Sequence, residues 1–368
     1  MEFYCSQEDL LTAISVTQRG ISSKTTIPIL SGIMLKLTNE NLFLKSTDLE
    51  ITIEYKIPVN SITEGEVILP AKILTDIVRK MPKEDIHFCM TEDKNVKIKS
   101  SKIEIDLTGE NTEEFPSFPK LPDSNILELP ELRLKNMLKQ TAFAVSSEES
   151  RPVLTGVLFE IKGSSLNLIA TDGHRLAYKV AVLEKEPSEP LKVVIPKKAI
   201  TELQRILIDD EEKYINIYVK DSIVFFVFDN VIFSSRIIEG KFPPYQQIIP
   251  NDNNTKIKVN TKDLQTSIER AELLSREGTR SLVKFKVSDI LYLTSNTPNL
   301  GSLSEQLPVD KEGEDLEIAF NAKLITDCLK NIDVPEVYLE FSGSFSPCLI
   351  KPVIGEDYLH LILPIRTA

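Results

Sequence analysis

The chain has 368 residues, of which 42% are hydrophobic and 27% are charged. At about 100–200 residues per domain, this length predicts two or three domains. With 13 glycines and 21 prolines, the composition excludes a collagen-like or low-complexity chain. The net charge of -12 argues against a protein that coats DNA through a general basic excess, but it leaves room for a local basic face.

Targeting and redox signals are absent from the sequence. It contains no run of about 18 apolar residues, so we predict no transmembrane helix. The opening residues, MEFYCSQEDLL, lack the basic region and apolar stretch of a secretion signal. The cysteines Cys5, Cys89, Cys328 and Cys348 form no C-x-x-C pair, which indicates neither a zinc knuckle nor a disulfide framework. We therefore expect a cytoplasmic protein without membrane association, metal or cofactor.

Signatures of common enzymes are also missing. The nearest two glycines, Gly156 and Gly163, are too far apart for a Rossmann fingerprint or a Walker A loop. The histidines His87, His174 and His360 each stand alone, which excludes an H-E-x-x-H zinc site. We assign no catalytic residue. An enzyme that uses carboxylates leaves no local motif and stays open as an alternative at this point.

The chain repeats itself three times, with a period of about 125 residues. IPILSG at 27–32 matches RPVLTG at 151–156, and LKSTDLEI at 44–51 matches LIATDGHR at 168–175, both with an offset of 124 residues. A weaker third copy includes LYLTSN and FNAKLI. The three copies account for the whole chain, and we expect domains at 1–122, 123–251 and 252–368.

Each copy has the same predicted order of elements. A helix comes first, marked in the first copy by Leu10, Leu11 and Ile14 at helical spacing. Alternating strands follow, such as IMLKL and LFLKS. A second helix starts directly after proline in AKILTDIVRKM and KKAITELQRIL, and without proline in AKLITDCLKNI. Further strands, such as VKIKSSKIEIDL, complete an antiparallel α+β module.

The second helix of each copy is basic, although the chain as a whole is acidic. Three acidic residues on these helices (Asp76, Glu202, Asp327) stand against eight basic ones: Lys72, Arg79, Lys80, Lys197, Lys198, Arg205, Lys323 and Lys330. These could be ordinary solvated helix faces. The same bias in all three copies favours non-specific contact with phosphates.

If the helices line a hole, their number fixes its size. At roughly 10 Å between axes, six helices close a circle about 19 Å across, too tight for a duplex roughly 20 Å wide. Twelve helices close a circle about 38 Å across, which admits a duplex with water around it. A ring of this kind would therefore need two copies of the chain.

Seven short segments carry a resemblance to a known family: IPILSG (27–32), STDLEI (46–51), RPVLTG (151–156), ATDGHRLA (170–177), GKFPPY (240–245), FNAK (320–323) and LPIR (363–366). With the threefold repeat, the whole chain resembles the bacterial sliding clamps, the DNA polymerase III beta subunits. The resemblance implies three tandem domains of the DNA-clamp fold and a head-to-tail homodimer. It implies a closed ring of six domains around double-stranded DNA, with helices inside, sheets outside and no catalytic activity.

The resemblance also implies partners. They are the replicative DNA polymerase alpha subunit, the clamp-loader ATPase that opens the ring, and other proteins with a Gln-Leu-acidic-Leu-Phe motif. This motif would dock in an apolar groove between the second and third domains. Carried over by position, the groove residues are Leu154, Thr171, Gly173, His174, Arg175, Leu176, Pro243, Gln247, Ile248, Asn321, Leu324, Phe345, Ile362, Leu363, Pro364, Ile365 and Arg366. Gln247, Thr279 and Leu324 differ from residues common in the family, so we expect the depth of the groove and its affinity for a given peptide to differ from those of better-known members.

The segment ATDGHRLA has three interpretations. Asp172 and His174 could form an acid–base pair, although their closeness in sequence supplies no catalytic geometry by itself. The segment could be a tight turn in which Asp172 caps the backbone and Gly173 has a positive φ. The resemblance favours a wall of the groove, where a Leu–Phe peptide needs apolar surfaces and a few polar groups.

The resemblance also supplies candidate DNA and dimer residues. The DNA-binding positions are Lys24, Lys72, Arg151, Lys197 and Lys198, and they would contact phosphates through water without reading bases. The dimer would pair Ile105 and Leu107 with Leu273 and Leu274 of the second copy. Solvated surface and core packing are the respective alternatives. A repeat scaffold that does not bind DNA remains the alternative function.

Overall fold

The computed structural model describes residues 1–22, 24–91, 93–124, 126–275, 282–297, 301–355 and 357–366. These residues form six α-helices and 26 strands in four antiparallel sheets. In this part of the chain no helix is long and apolar enough to cross a membrane. Thr279, whose identity bears on the groove, lies outside the described residues.

The first copy contains two helices and nine strands. The helices are α1 (Gln7–Thr17) and α2 (Ala71–Lys80). The strands are β1 (Glu2–Ser6), β2 (Gly32–Thr38), β3 (Asn41–Thr47), β4 (Ile51–Pro58), β5 (Asn60–Thr63), β6 (Gly65–Pro70), β7 (Asp85–Met90), β8 (Asn95–Ser100) and β9 (Ile103–Thr108). Helix α1 begins where the Ser6 hydroxyl accepts a hydrogen bond from the Asp9 N–H at 3.0 Å. Helix α2 starts directly after Pro70, as the sequence predicts.

The second copy has the same order of helices and strands as the first, but with one strand fewer before its second helix. Its helices are α3 (Glu131–Lys139) and α4 (Lys197–Ile206). Its strands are β10 (Leu127–Pro130), β11 (Gly156–Lys162), β12 (Ser165–Thr171), β13 (Arg175–Val182), β14 (Lys192–Pro196), β15 (Tyr214–Lys220), β16 (Ile223–Phe228) and β17 (Val231–Arg236). The predicted second helix is confirmed, and it again follows a proline, Pro196.

The third copy ends the chain. Its helices are α5 (Thr261–Ser275) and α6 (Ala322–Leu329). Its strands are β18 (Thr255–Asn260), β19 (Leu282–Val287), β20 (Ile290–Thr297), β21 (Gly301–Pro308), β22 (Asp310–Gly313), β23 (Leu316–Asn321), β24 (Glu336–Phe341), β25 (Cys348–Pro352) and β26 (Tyr358–Ile362). Asn321 takes the place of the missing proline, because its side-chain oxygen accepts a hydrogen bond from the Lys323 N–H at 3.0 Å.

The chain divides into two compact units, which cut through the middle copy. The first unit comprises Met1–Leu132 and Thr201–Ile237, and the second comprises Arg133–Ile200 and Ile238–Ala368. The reason is that sheets continue from one copy into the next. The middle copy therefore shares one sheet with the first copy and another with the third.

The first unit contains a five-stranded sheet, β5-β1-β7-β8-β9, and an eight-stranded sheet, β10-β15-β16-β17-β4-β3-β2-β6. The larger sheet passes from the second copy to the first where β17 pairs antiparallel with β4, with Phe233 opposite Ile53. Both residues are fully buried, so the joint between the copies belongs to the core.

The second unit contains a nine-stranded sheet, β14-β11-β12-β13-β26-β25-β24-β18-β22, and a four-stranded sheet, β21-β20-β19-β23. Its larger sheet passes from the second copy to the third where β13 pairs antiparallel with β26, with Leu176 opposite Leu361. The two junctions use equivalent strands. β4 and β13 are each the third strand after the first helix of their copy, and β17 and β26 are each the last strand of theirs.

Candidate partner-binding site and nucleic-acid interface

The TDGHR segment forms a tight turn between β12 and β13. One carboxylate oxygen of Asp172 accepts hydrogen bonds from the backbone N–H groups of His174, at 2.9 Å, and Arg175, at 3.0 Å. Gly173 has φ +89°, a left-handed conformation that glycine adopts without strain. The turn interpretation is confirmed. The carboxylate of Asp172 is engaged by the turn itself rather than by the His174 ring.

Arg175 ties this turn to the third copy. Its side chain is 11% exposed, and its Nε donates to the second oxygen of Asp172 at 3.0 Å. Its two terminal nitrogens donate to Asp327 Oδ2 at 3.0 Å and to the Phe143 carbonyl at 2.9 Å. The guanidinium also lies 5.2 Å from the centre of the Phe143 ring. These bonds make Arg175 a group that positions the turn, and its predicted contact with a peptide stays a prediction.

The C-terminal segment continues along the same turn. Beyond β26, the Leu363 N–H donates to the His174 carbonyl at 2.9 Å, and the Ile365 N–H donates to the Ala319 carbonyl at 2.7 Å. The LPIR segment therefore runs from the TDGHR turn to strand β23. These hydrogen bonds bring together two motifs that are far apart in the sequence.

The predicted groove residues fall into three classes of exposure. The buried ones are Leu154, Thr171, Leu176 and Ile362. The half-buried ones are Arg175, Asn321, Leu324, Pro364 and Ile365. The exposed ones are Gly173, His174, Pro243, Gln247, Ile248, Phe345, Leu363 and Arg366. Eight of the seventeen predicted groove residues are therefore accessible from solvent, and four are covered by the protein itself.

The predicted groove residues include both buried and exposed apolar side chains. Leu154 and Leu176 pack in one core cluster with Leu361 and Tyr245. Ile248 is 49% exposed, Leu363 is 37% exposed and Phe345 is 72% exposed. These side chains present apolar surface that a bound partner could cover.

A buried histidine lies beside the turn. His360 is opposite Ala177 in the β13–β26 pair, and its ring lies 5.4 Å from that of Phe143. Neither ring nitrogen has a hydrogen-bond partner among the described residues. Burial, assisted by the nearby charges of Lys179 and Arg175, lowers the pKa of His360 to about 3. The ring is therefore neutral at pH 7 and serves as part of the packing.

The candidate DNA-binding residues occur in both units. In the first unit, Lys24 is exposed after α1, and Lys72 is exposed in the first turn of α2. In the second unit, Lys197 and Lys198 are exposed at the start of α4, and the Lys197 N–H donates to the Thr155 carbonyl at 3.1 Å.

Arg151 is exposed and directly precedes a 3-10 helix, Pro152–Leu154, that leads to Thr155. Its guanidinium lies 3.5 Å from a Glu148 oxygen, which is a weak surface pair. Within the second unit, Arg151 and the start of α4 thus lie in neighbouring segments of chain. All five candidate positions are exposed to solvent, as contact with phosphates requires.

The candidate dimer residues lie on an edge strand and a helix. Ile105 and Leu107 are half-buried on β9, at the edge of the five-stranded sheet, and pack partly against the core of the first copy. On α5, Leu273 is 59% exposed and Leu274 is half-buried.

The described residues contain no cluster of three or more His, Cys, Asp or Glu side chains that could hold a metal ion.

Sequence reasoning missed two supports of the site, Phe143 and Asp327. In the sequence, Asp327 stands out only as one of the acidic residues of the second helices, and its bond to Arg175 spans 152 positions of sequence. No local pattern indicates a contact of this range.

Profiles of the DNA polymerase III beta subunit match three successive parts of the chain. The N-terminal domain profile matches residues 1–119, the central domain profile matches 128–244, and the C-terminal domain profile matches 246–366. These three matches follow the three repeats.

Full-length relatives and solved structures agree with the profiles. The beta sliding clamp of Bacillus subtilis (strain 168) is 36% identical over 378 residues, and that of Staphylococcus aureus is 37% identical over 377 residues. Both alignments cover 100% of each chain. The crystal structure of the DNA polymerase sliding clamp from Bacillus subtilis matches with a TM-score of 0.96 and 35% identity, again over 100% of both chains.

Proposed function

The chain belongs to the DNA polymerase III beta subunit family, the sliding clamps, and we propose that two copies close a ring around double-stranded DNA. As a sliding clamp it is a non-catalytic processivity factor of DNA replication. We place it in the cytoplasm, where its proposed partners are the polymerase alpha subunit, the clamp loader and other proteins with the clamp-binding motif. The proposed domains are 1–122, 123–251 and 252–368, supported by the three profile matches.

The proposal of a ring rests on one observation: both junctions between copies within the chain use equivalent strands. Within the chain, β17 pairs with β4, and β26 pairs with β13. The strand of the first copy equivalent to β17 and β26 is β9, and the strand of the third copy equivalent to β4 and β13 is β21. Both β9 and β21 lie at sheet edges. Edge strands offer free backbone groups for pairing, so β9 of one copy fits β21 of another, twice in a head-to-tail dimer.

The proposed DNA contacts are Lys24, Lys72, Arg151, Lys197 and Lys198. Each of these side chains is exposed and cationic, although the chain has a net charge of -12. They support the proposed ring because exposed cations can contact the phosphates of an encircled duplex. Neutralised phosphates release counterions, which makes such contacts salt-dependent and independent of sequence.

Retention on circular DNA tests the proposed function. After loading by a clamp loader, we expect the protein to remain on nicked circular DNA and to leave it once the DNA is cut to a linear form. The reason is that a closed ring is held by topology, whereas a protein bound to phosphates alone dissociates from both forms in salt. Gel filtration of labelled protein on the two DNA forms measures this. Equal loss from both forms would contradict the ring and favour a repeat scaffold.

We propose that the groove around the TDGHR turn and the LPIR segment binds the partner motif. Its residues are the seventeen positions given by the resemblance, with Arg175 acting through the turn. The exposed apolar side chains Ile248, Phe345 and Leu363 support this proposal, because a Leu–Phe peptide can bury them.

Replacement of Leu363 by aspartate tests the groove. We expect Leu363→Asp to weaken binding of a labelled Gln-Leu-Asp-Leu-Phe peptide by at least about tenfold, because an apolar contact is replaced by a charge. Fluorescence anisotropy measures the affinity. The matched control is Ile354→Asp, since Ile354 is 87% exposed in the same unit and outside the proposed groove. Equal affinity of Leu363→Asp and wild type would contradict the assignment.

A further inference from the structure

A second surface adjoins the proposed groove on the outer face of the four-stranded sheet. A cavity of about 670 Å³ lies there, bordered by Lys284, Tyr292, Ala319, Phe345 and Ile365, among others. Buried and exposed side chains alternate along β19. Val283, Phe285 and Val287 are buried, and the two lysines between them face solvent, which makes this face of the sheet basic.

The charge of this surface is positive in an acidic chain. Lys286 Nζ lies 3.7 Å from Glu317 Oε1, and both side chains are largely exposed. Lys284 is exposed and has no ion-pair partner among the described residues. The charge of Lys284 is thus left for a ligand in the cavity, which Tyr292 also lines.

The surface is continuous with the proposed groove through the backbone. Lys284 stands opposite Ala319 in the β19–β23 pair, and the Ala319 carbonyl accepts the hydrogen bond from Ile365 at 2.7 Å. Directly opposed residues on antiparallel strands lie about 4.5–5.5 Å apart. The cavity also shares Phe345 and Ile365 with the groove residues. A chain docked in the groove therefore needs only a few further residues to reach Lys284.

We infer that this surface, centred on Lys284, binds an acidic segment that flanks the clamp-binding motif of partner proteins. The inference rests on the proposed groove. The apolar motif supplies the main affinity, and the acidic flank adds a charge contact over the open face of the sheet. An extension of about four residues spans about 13 Å, which is enough for this reach. The flank would favour partners whose motif lies in an acidic context.

Three peptides with the same Gln-Leu-Asp-Leu-Phe core test the inference. One carries a short run of glutamates at its N-terminus, one carries the run at its C-terminus, and one carries glutamines at both ends. We expect one acidic peptide to bind wild type about threefold to fivefold more tightly than the glutamine peptide, since an exposed charge contact contributes little. Anisotropy titrations at low salt measure the ratio, and about 0.3 M salt should reduce it.

Charge reversal at Lys284 tests whether this lysine contacts the acidic segment. Lys284→Glu should remove the preference for the acidic peptide and leave the glutamine peptide unchanged, and Lys284→Ala should reduce the preference. The matched control is Lys220→Glu, which reverses an exposed lysine on β15 in the first unit and changes net charge equally. Equal binding of all three peptides to wild type would overturn the inference while the groove stands. If no peptide binds, the groove assignment fails and the inference fails with it.

Discussion

Replacement of Arg175 by alanine is expected to lower the free energy of unfolding by about 3 kcal/mol, because a largely buried ion-pair network loses its centre. Asp172, Asp327 and the Phe143 carbonyl all lose a donor. The two carboxylates are 17% and 29% exposed, so water replaces the guanidinium only in part. The midpoint of urea unfolding, compared at equal slope, measures the change.

Two variants separate the network from the general loss of an arginine. Arg175→Lys keeps the charge but cannot reach three acceptors in fork geometry, so it should recover only part of the stability. Arg151→Ala removes an exposed arginine with one contact of 3.5 Å, and it should change stability by less than about 0.5 kcal/mol. If Arg175→Ala unfolds at the wild-type midpoint, Arg175 does not position the turn.

The repeat made much of the fold predictable from the sequence. Pro70 and Pro196 mark the starts of α2 and α4, and the alternating segments became strands. These signals are local, since a helix start and a strand face depend on residues a few positions apart. The turn at Asp172 and Gly173 was predictable for the same reason.

The parts that the sequence did not predict depend on distant contacts. The role of Arg175 was assigned by position in the motif, but its partners Asp327 and Phe143 lie in other elements. The burial of Leu176 and Ile362 likewise follows from the pairing of β13 with β26, across the boundary between two copies. The division into two units has the same origin, because sheets that cross copies leave no trace in the hydrophobic pattern of one copy.

Replacement of both Leu273 and Leu274 by alanine is expected to raise the dimer dissociation constant about ten-thousandfold, because about 1.5 kcal/mol is lost for each side chain and the loss occurs at both junctions of the ring. In the proposed ring these leucines pack against Ile105 and Leu107 on β9 of the other copy. Leu273 is 59% exposed within one chain, so its truncation should leave the fold intact. Light scattering over a dilution series measures the fraction of monomer.

The control is the paired truncation Val182→Ala with Ile354→Ala, at two apolar residues that are 65% and 87% exposed and outside the proposed interface. This variant should dissociate like wild type and remain on circular DNA. Because the head-to-tail ring has two identical junctions, weakening the junction acts at both, and monomer formation must be accompanied by loss from circular DNA. An unchanged dimer would contradict the placement of Leu273 and Leu274. A variant that is monomeric and yet remains on circular DNA would contradict closure of the ring itself.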